Sequence, residues 1–263
     1  ATINTNAMSL NAQRNLTTSQ SSLALSVQRL SSGLRVNSAK DDAAGLAIAD
    51  RMNSQAKGFN VAIRNANDGI SMAQTAESAM QAVTDDLHRM RERAVQSANG
   101  TYTSGDRGNL DTEYQQLSAE INRVVSGTTF NGQSVLNGSG STAFQVGAGT
   151  AATDQITVQA SSVSLSAVSG GGSVSGASAA SAAIGDIDKQ LTALNTARAT
   201  WGAVQNRFSS VVDTLQVASE NAQAARGRIM DADFAQETAN MTRAQILQQA
   251  GTAMVSQANR MPN

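Results

Sequence analysis

The stretch RLSSGLRVNSAKDDAAGLAIADRM, residues 29–52, decides the fold. It joins two helical patterns of different character. Before it, Leu16, Leu23, Val27 and Leu30 recur at spacings of seven, four and three. After it, a second apolar series begins at Ile63. Between them, Gly33 can end a helix in the left-handed conformation. Ser38, with Asp41 three residues on, has the form of a capping box that restarts one. The stretch reads as helix, polar joint, helix; periodicity by itself is equally satisfied by an ordinary interhelical loop.

Working outward, residues 4–32 form a helical arm whose stripe is Ala12, Leu16, Leu23, Val27 and Leu30, a narrow seam of the coiled-coil kind. Residues 57–98 carry Ile63, Ala66, Ile70, Ala73, Ala76, Met80, Val83, Leu87, Met90 and Ala94 at steps of three and four, which predicts a long helix. Gly58 and Gly69 should weaken it locally, and Asn99-Gly100 should end it. A shorter helix is expected over 105–126, with Leu110, Tyr114, Leu117, Ile121 and Val124 on one face. At Gly127 the pattern changes. Asn131-Gly132 and Asn137-Gly138 are tight-turn signals, and short strands are expected at 133–136, 143–146 and 155–159. Residues 161–181, with Gly170-Gly171-Gly172 inside them, read as an exposed low-complexity segment. Helix returns over 184–222, where Ile187, Leu194, Trp201, Phe208, Leu215 and Ala222 fall seven apart. Trp201 and Phe208 on that stripe read as core. Arg226-Gly227-Arg228 reads as a second joint, and Asp231 or Asp233 as the cap of a last helix through Phe234, Met241, Leu247, Ala250, Met254 and Met261.

Residues 1–33 and 231–263 are of equal length, each long enough to reach about 50 Å as helix. The two inner helices match each other almost as well. A chain built as arm, joint, rod, tip, rod, joint, arm folds back on itself and brings its ends together. The expected fold is mainly α: an elongated antiparallel helical bundle with paired terminal arms and a small β-hairpin region. A rod core of Ile70, Met80, Leu87, Leu194, Trp201, Phe208 and Leu215 follows. The arms carry a seam of Leu16, Leu23, Val27, Leu30, Leu247 and Met254. Two narrow stripes make a marginal pair, so each arm needs further neighbours, and self-assembly is implied by the residues alone.

Composition agrees. Aromatic residues are 3% of the chain, with one Trp, which suits thin helical bundles better than a thick globule. A net charge of −1 gives no footprint for nucleic acid. Arg89, Arg91 and Arg93 alternate with other residues, Glu92 among them, as on a solvated helix face. Cysteine is absent, which excludes disulfides and thiolate metal sites. Residues 1–15 lack the apolar centre of a cleavable signal, and no run of about 18 apolar residues is present to span a membrane. Catalytic constellations are missing. His88 is the sole histidine and sits among charged residues. There is no His-Glu-x-x-His motif. Asp41-Asp42 and Asp85-Asp86 are adjacent, so neither pair shares a helix face. Gly147-Ala148-Gly149 lacks the third glycine and following helix of a dinucleotide loop. No enzyme activity, cofactor or metal is predicted.

The wording of the joint adds a resemblance. Arg29–Arg35 and Asn37–Gly45 closely resemble bacterial flagellin, as do Arg64–Ser71 and the block from Arg89 to Asn99 that ends Ala94-Val95-Gln96-Ser97-Ala98-Asn99. The resemblance covers roughly residues 1–136 and 184–261. It implies an inner filament domain of paired arms (1–42 and 226–263), an outer-tube rod with a small hairpin (43–160 and 182–225), and a vestigial variable segment (161–181). It implies a structural subunit of the extracellular flagellar filament, used for swimming and exported unfolded through the flagellar type III channel without a cleaved signal. The implied partners are further copies of the chain, a filament cap, hook-junction proteins and an export chaperone. The family is also sensed by a Toll-like innate receptor, and Arg89, Leu110 and Glu113 match that surface, while Arg93 departs from the apolar residue usual there. The family continues past Gln257-Ala258-Asn259 into a short apolar tail; here the sequence reads Met261-Pro262-Asn263. The alternative is a hook–filament junction protein of the same architecture, and a hydrolase is a third reading, disfavoured by the missing constellations.

Overall fold

Helix α1 (Ala7–Ser32) begins where the Asn6 side chain accepts a hydrogen bond from Ser9 N, and it stops at Gly33, whose φ of 69° suits a residue without a Cβ. The computed structural model describes residues 6–137, 140–159 and 172–260. After the joint come α2 (Ala43–Ala98), α3 (Ser104–Gly127), four short strands, α4 (Ala177–Met230) and α5 (Phe234–Arg260). The chain divides into two compact units, residues 1–57 with 219–263, and residues 58–218.

In the first unit α1 lies antiparallel to α5. Asn6 Nδ2 donates to Ala258 O at 2.9 Å, Ser9 Oγ contacts Asn259 Oδ1 at 2.7 Å, and Arg29 Nη1 reaches Glu237 Oε1 at 2.9 Å. Gly251 marks a close approach of the two helices: a Cβ there would stand 3.1 Å from Leu16 Cδ1. The two joints are tied to each other through backbone: Arg35 N donates to Met230 O and Ala232 N to Gly33 O. Val36, Ala49 and Met230 form a small core beneath them, flanked by Leu34, Leu46 and Ile229.

The acidic pair of the first joint divides its work. Asp41 Oδ2 accepts from Asn37 N, Ser38 N and Ser38 Oγ. The backbone bond from Asn37, then the Ser38 hydroxyl and amide, hold its carboxyl below the usual carboxylate range. Asp42 Oδ1 accepts from Gly45 N and caps α2. The cap is therefore Asp42 and not Ser38. The helix expected to restart after the joint and the one expected over 57–98 are a single helix. The second joint is likewise shorter than its Arg226-Gly227-Arg228 signal suggested: α4 runs through it to Met230, and Asp233 Oδ1 then caps α5 through Ala235 N and Gln236 N.

In the second unit α2 and α4 run antiparallel. Arg198 pairs with Glu77, Arg91 with Asp188, and the Phe208 ring lies over Gly69. A Cβ on Gly69 would come within 2.6 Å of Phe208 Cζ, so this glycine makes room for the ring and is not merely a weak point of the helix. Helix α3 opens with a capping box between Thr103 and Asp106. Its Arg107 guanidinium binds Ser97 O and Asn99 O at the end of α2.

Strands β1 (Thr129–Phe130) and β2 (Gln133–Ser134) form a hairpin around Asn131-Gly132, both at positive φ (49° and 79°), the conformation a two-residue primed turn demands. Strands β3 (Ser141–Gln145) and β4 (Gln155–Gln159) pair antiparallel, with Phe144 opposite Ile156. Phe144 then packs edge-on against Phe208, ring centres 5.3 Å apart. Of the second turn signal, Gly138 lies outside the described residues, as do residues 160–171 of the low-complexity segment. The rest of that segment differs from expectation: Val174 is fully buried, its N–H bonds Asp111 Oδ1 at 2.6 Å, its carbonyl accepts from Ser97 Oγ, and α4 begins at Ala177 with Ala180 buried.

Candidate assembly surface

The arms bury little that is large. The buried positions of α1 are Ser9 and Ser26; those of α5 are Glu237, Ala244 and Ala258. Leu16, Leu23 and Leu30 are half-buried. Val27, Leu247 and Met254 stand in solvent, and Met254 is 66% exposed. Seam residues of the two helices thus split between the α1–α5 contact and an outward face. Met8, Leu10 and Leu25 on α1, and Phe234 and Ile246 on α5, join that outward face. Phe234 belongs to the apolar series read for the last helix, but the others lie off the narrow stripe, and the signal for them was present: Leu25 beside Leu23, and Ile246 beside Leu247, widen each stripe beyond what one partner can cover. A half-exposed Leu or Met leaves roughly 1 kcal/mol of burial unrealised. Among the described residues, large exposed apolar side chains are otherwise sparse: Ile48, Val61, Val95 and Val217.

A charged anchor also fixes the pair. Glu237 is 7% exposed and faces Arg29. Burial by itself raises the Glu237 pKa, but hydrogen bonds from Arg29 and Ser26, the Arg29 charge and Asn240 together hold it below its ordinary value. Beside this pair, Ser22, Leu25, Ala244 and Leu247 line an open groove between the helices. On α5 itself, Phe234, Ala239, Ile246 and Leu247 line a second, more apolar hollow.

In the second unit, Met80, Leu87, Leu194, Trp201 and Phe208 are buried in one core, Ile70 packs half-buried against it, and Leu215 is also buried. Arg89 and Glu113 meet at 2.6 Å across α2 and α3, and Leu110 packs against the core nearby in sequence. Arg93 is not a bare surface residue: its Nε stands 3.0 Å from the other oxygen of Glu113. The hydrogen bond from Arg89 first, and the charges of Arg93 and Arg89 with it, lower the Glu113 pKa against an opposing desolvation. Gly147 and Gly149, considered above as a cofactor loop, instead leave room for the Asp154 carboxylate. Among the described residues no group of His, Cys, Asp and Glu could hold a metal, and no helix is long and apolar enough to cross a membrane.

A helical protein whose first and last helices pair and leave apolar faces open is of the class that completes itself with further chains. Residues 3–141 match the bacterial flagellin N-terminal helical region, and residues 184–263 the bacterial flagellin C-terminal helical region. The chain belongs to the bacterial flagellin family, a family of structural proteins. It is 43% identical to a flagellin of Halalkalibacterium halodurans, across 99% of this chain and 96% of that one. It is 42% identical to the flagellar filament 33 kDa core protein of Treponema phagedenis, across 98% and 96%. No large variable domain separates the two matched regions. Among solved structures, Bacillus cereus flagellin is 29% identical with a TM-score of 0.52, over 58% of this chain and 88% of that one. A protein described as flagellar hook-associated, from Vibrio parahaemolyticus, shares the fold at 14% identity with a TM-score of 0.61, over 73% of this chain and all of that one.

Proposed function

We propose that this chain is a structural subunit that self-assembles into the helical flagellar filament outside the cell and serves swimming. One observation carries the reading: α1 and α5 pair with each other and still leave Met8, Leu10, Leu25, Val27, Phe234, Ile246, Leu247 and Met254 exposed. Apolar surface on that scale calls for a partner, and in a polymer each pair of arms is covered by the arms of neighbouring copies. The arms, 1–42 and 226–263, then form the inner filament domain, and the rod, 43–160 and 182–225, the outer tube. The seam residues Leu16, Leu23, Val27, Leu30, Leu247 and Met254 are the contacts of the arms. No reaction is carried out; stiffness and alternative packings of the same subunit are the function.

The same reading includes export unfolded through the flagellar type III channel, and contacts with a cap, hook-junction proteins and an export chaperone. Arg89, Leu110 and Glu113 are proposed as the surface met by a Toll-like receptor. There Arg93 competes for Glu113, which weakens recognition. The alternative, a hook–filament junction protein, has the same fold. High identity to filament proteins over nearly the whole chain favours the filament subunit. Electron microscopy of seeded protein separates the two: a filament subunit grows into long polymers, whereas a junction protein stops after a few layers.

A further inference from the structure

The methionines are sorted by environment. Met72, Met80 and Met90 are buried in the large core and Met230 in the small one. Met52 and Met241 are half-buried. Met8 and Met254 are 64% and 66% exposed, one on each arm. Both lie in the stretch of the helix pair bounded by the Asn6–Ala258 bond and the Leu16–Gly251 contact, so they sit towards the same end of it. A thioether is apolar and polarisable; its sulfoxide is polar and accepts hydrogen bonds strongly. Exposure decides which thioethers meet an oxidant first, and burial on assembly decides which sulfoxides do harm.

We infer that Met8 and Met254 are an oxidation site that blocks assembly of the free subunit, with hydrogen peroxide as the oxidant. In the step, a sulfur lone pair attacks one peroxide oxygen. The S–O bond forms, the O–O bond breaks, and the departing oxygen leaves as water after proton transfer. Sulfur is oxidised by two electrons and peroxide reduced by two. A thiol-driven methionine sulfoxide reductase restores the side chain. Once copies have packed over the arms, both sulfurs are covered and the polymer resists the same dose. This inference rests on the filament reading. The buried methionines of the core are spared, so the modification acts on assembly and not on the fold of residues 58–218.

The test treats soluble full-length subunit with peroxide, maps oxygen adducts by peptide mass spectrometry, and measures the critical concentration by sedimentation after seeding. Adducts are expected first at Met8 and Met254, with a critical concentration raised by roughly tenfold or more, the scale of burying a polar group without a partner. The double variant Met8→Leu, Met254→Leu keeps apolar volume without the sulfur; whatever its own critical concentration before treatment, peroxide should leave that value unmoved. Adducts appearing first at Met80 or Met90 overturn the inference. So does unchanged assembly of the oxidised wild type, or equal loss in the double variant. If untreated wild type stays unpolymerised with seeds, the filament reading itself fails, and this inference with it.

Discussion

Phe208 is the position where the packing can be tested most sharply. Its ring is fully buried, lies over Gly69, and meets Phe144 edge-on at 5.3 Å. Phe208→Ala removes that burial and leaves a cavity, at a cost of about 3–5 kcal/mol. For a unit the size of residues 58–218, each kcal/mol moves the melting temperature by about 2–4 °C. A fall of roughly 6–20 °C is therefore expected in far-ultraviolet circular dichroism of the monomer. The partner position supplies a sign test. Gly→Ala inside a helix ordinarily gains up to about 1 kcal/mol. Here the added methyl would sit 2.6 Å from the ring, so Gly69→Ala should destabilise instead. Combined with Phe208→Leu, it should cost less than the sum of the two single changes, because both act on one space. A thermally silent Phe208→Ala, or a stabilising Gly69→Ala, refutes this account of the core.

Arg93→Leu should lower stability by at most about 1 kcal/mol, since the lost ion pair is partly exposed and Arg89 still holds Glu113; equilibrium urea unfolding checks this, and unfolding of the helices would contradict it. The arm pair should weaken in acid. The folded pKa of Glu237 is depressed from its ordinary 4.5, so its contribution is fully present above that value and is lost as pH falls through the folded pKa. Amide exchange of α1 and α5 should accelerate over that range in the wild type, while Glu237→Gln should remove the pH dependence and exchange faster already at neutral pH. Val174→Asp should destabilise by several kcal/mol, because it places a charge without a partner at a fully buried site; a melt identical to wild type would show that the segment before α4 is not docked.

The heptad from Ile187 to Leu215 was legible because burial on one side of a helix writes itself as a period, and Trp201 and Phe208 sit where that period puts them. Asn131-Gly132 was legible for a local reason, the positive φ that both residues adopt. The extent of α2 and α4 was not. Residues 43–57 bury only Gly45, Ala49 and Ala56, small residues that leave a weak apolar signal. Gly227 reads as a breaker but stays helical, because the turn after it is held by backbone bonds to the other joint. Gly69 looked like a defect because the ring that needs it comes from a helix more than a hundred residues away. On the arms, the seam was read from its spacing, whereas the side chains left in solvent depend on which face the partner helix covers. The Arg29–Glu237 anchor pairs two residues from opposite ends of the chain, and no local pattern marks such a pair.

The central claim is that the arms, and not the rod, drive polymerisation. Deleting residues 1–33 and seeding the product with fragments of full-length filament tests it directly by electron microscopy. The account predicts that the deletion remains a helical monomer, with no growth from the seeds, while the full chain extends them into long filaments. Long filaments grown from the deleted chain would contradict it.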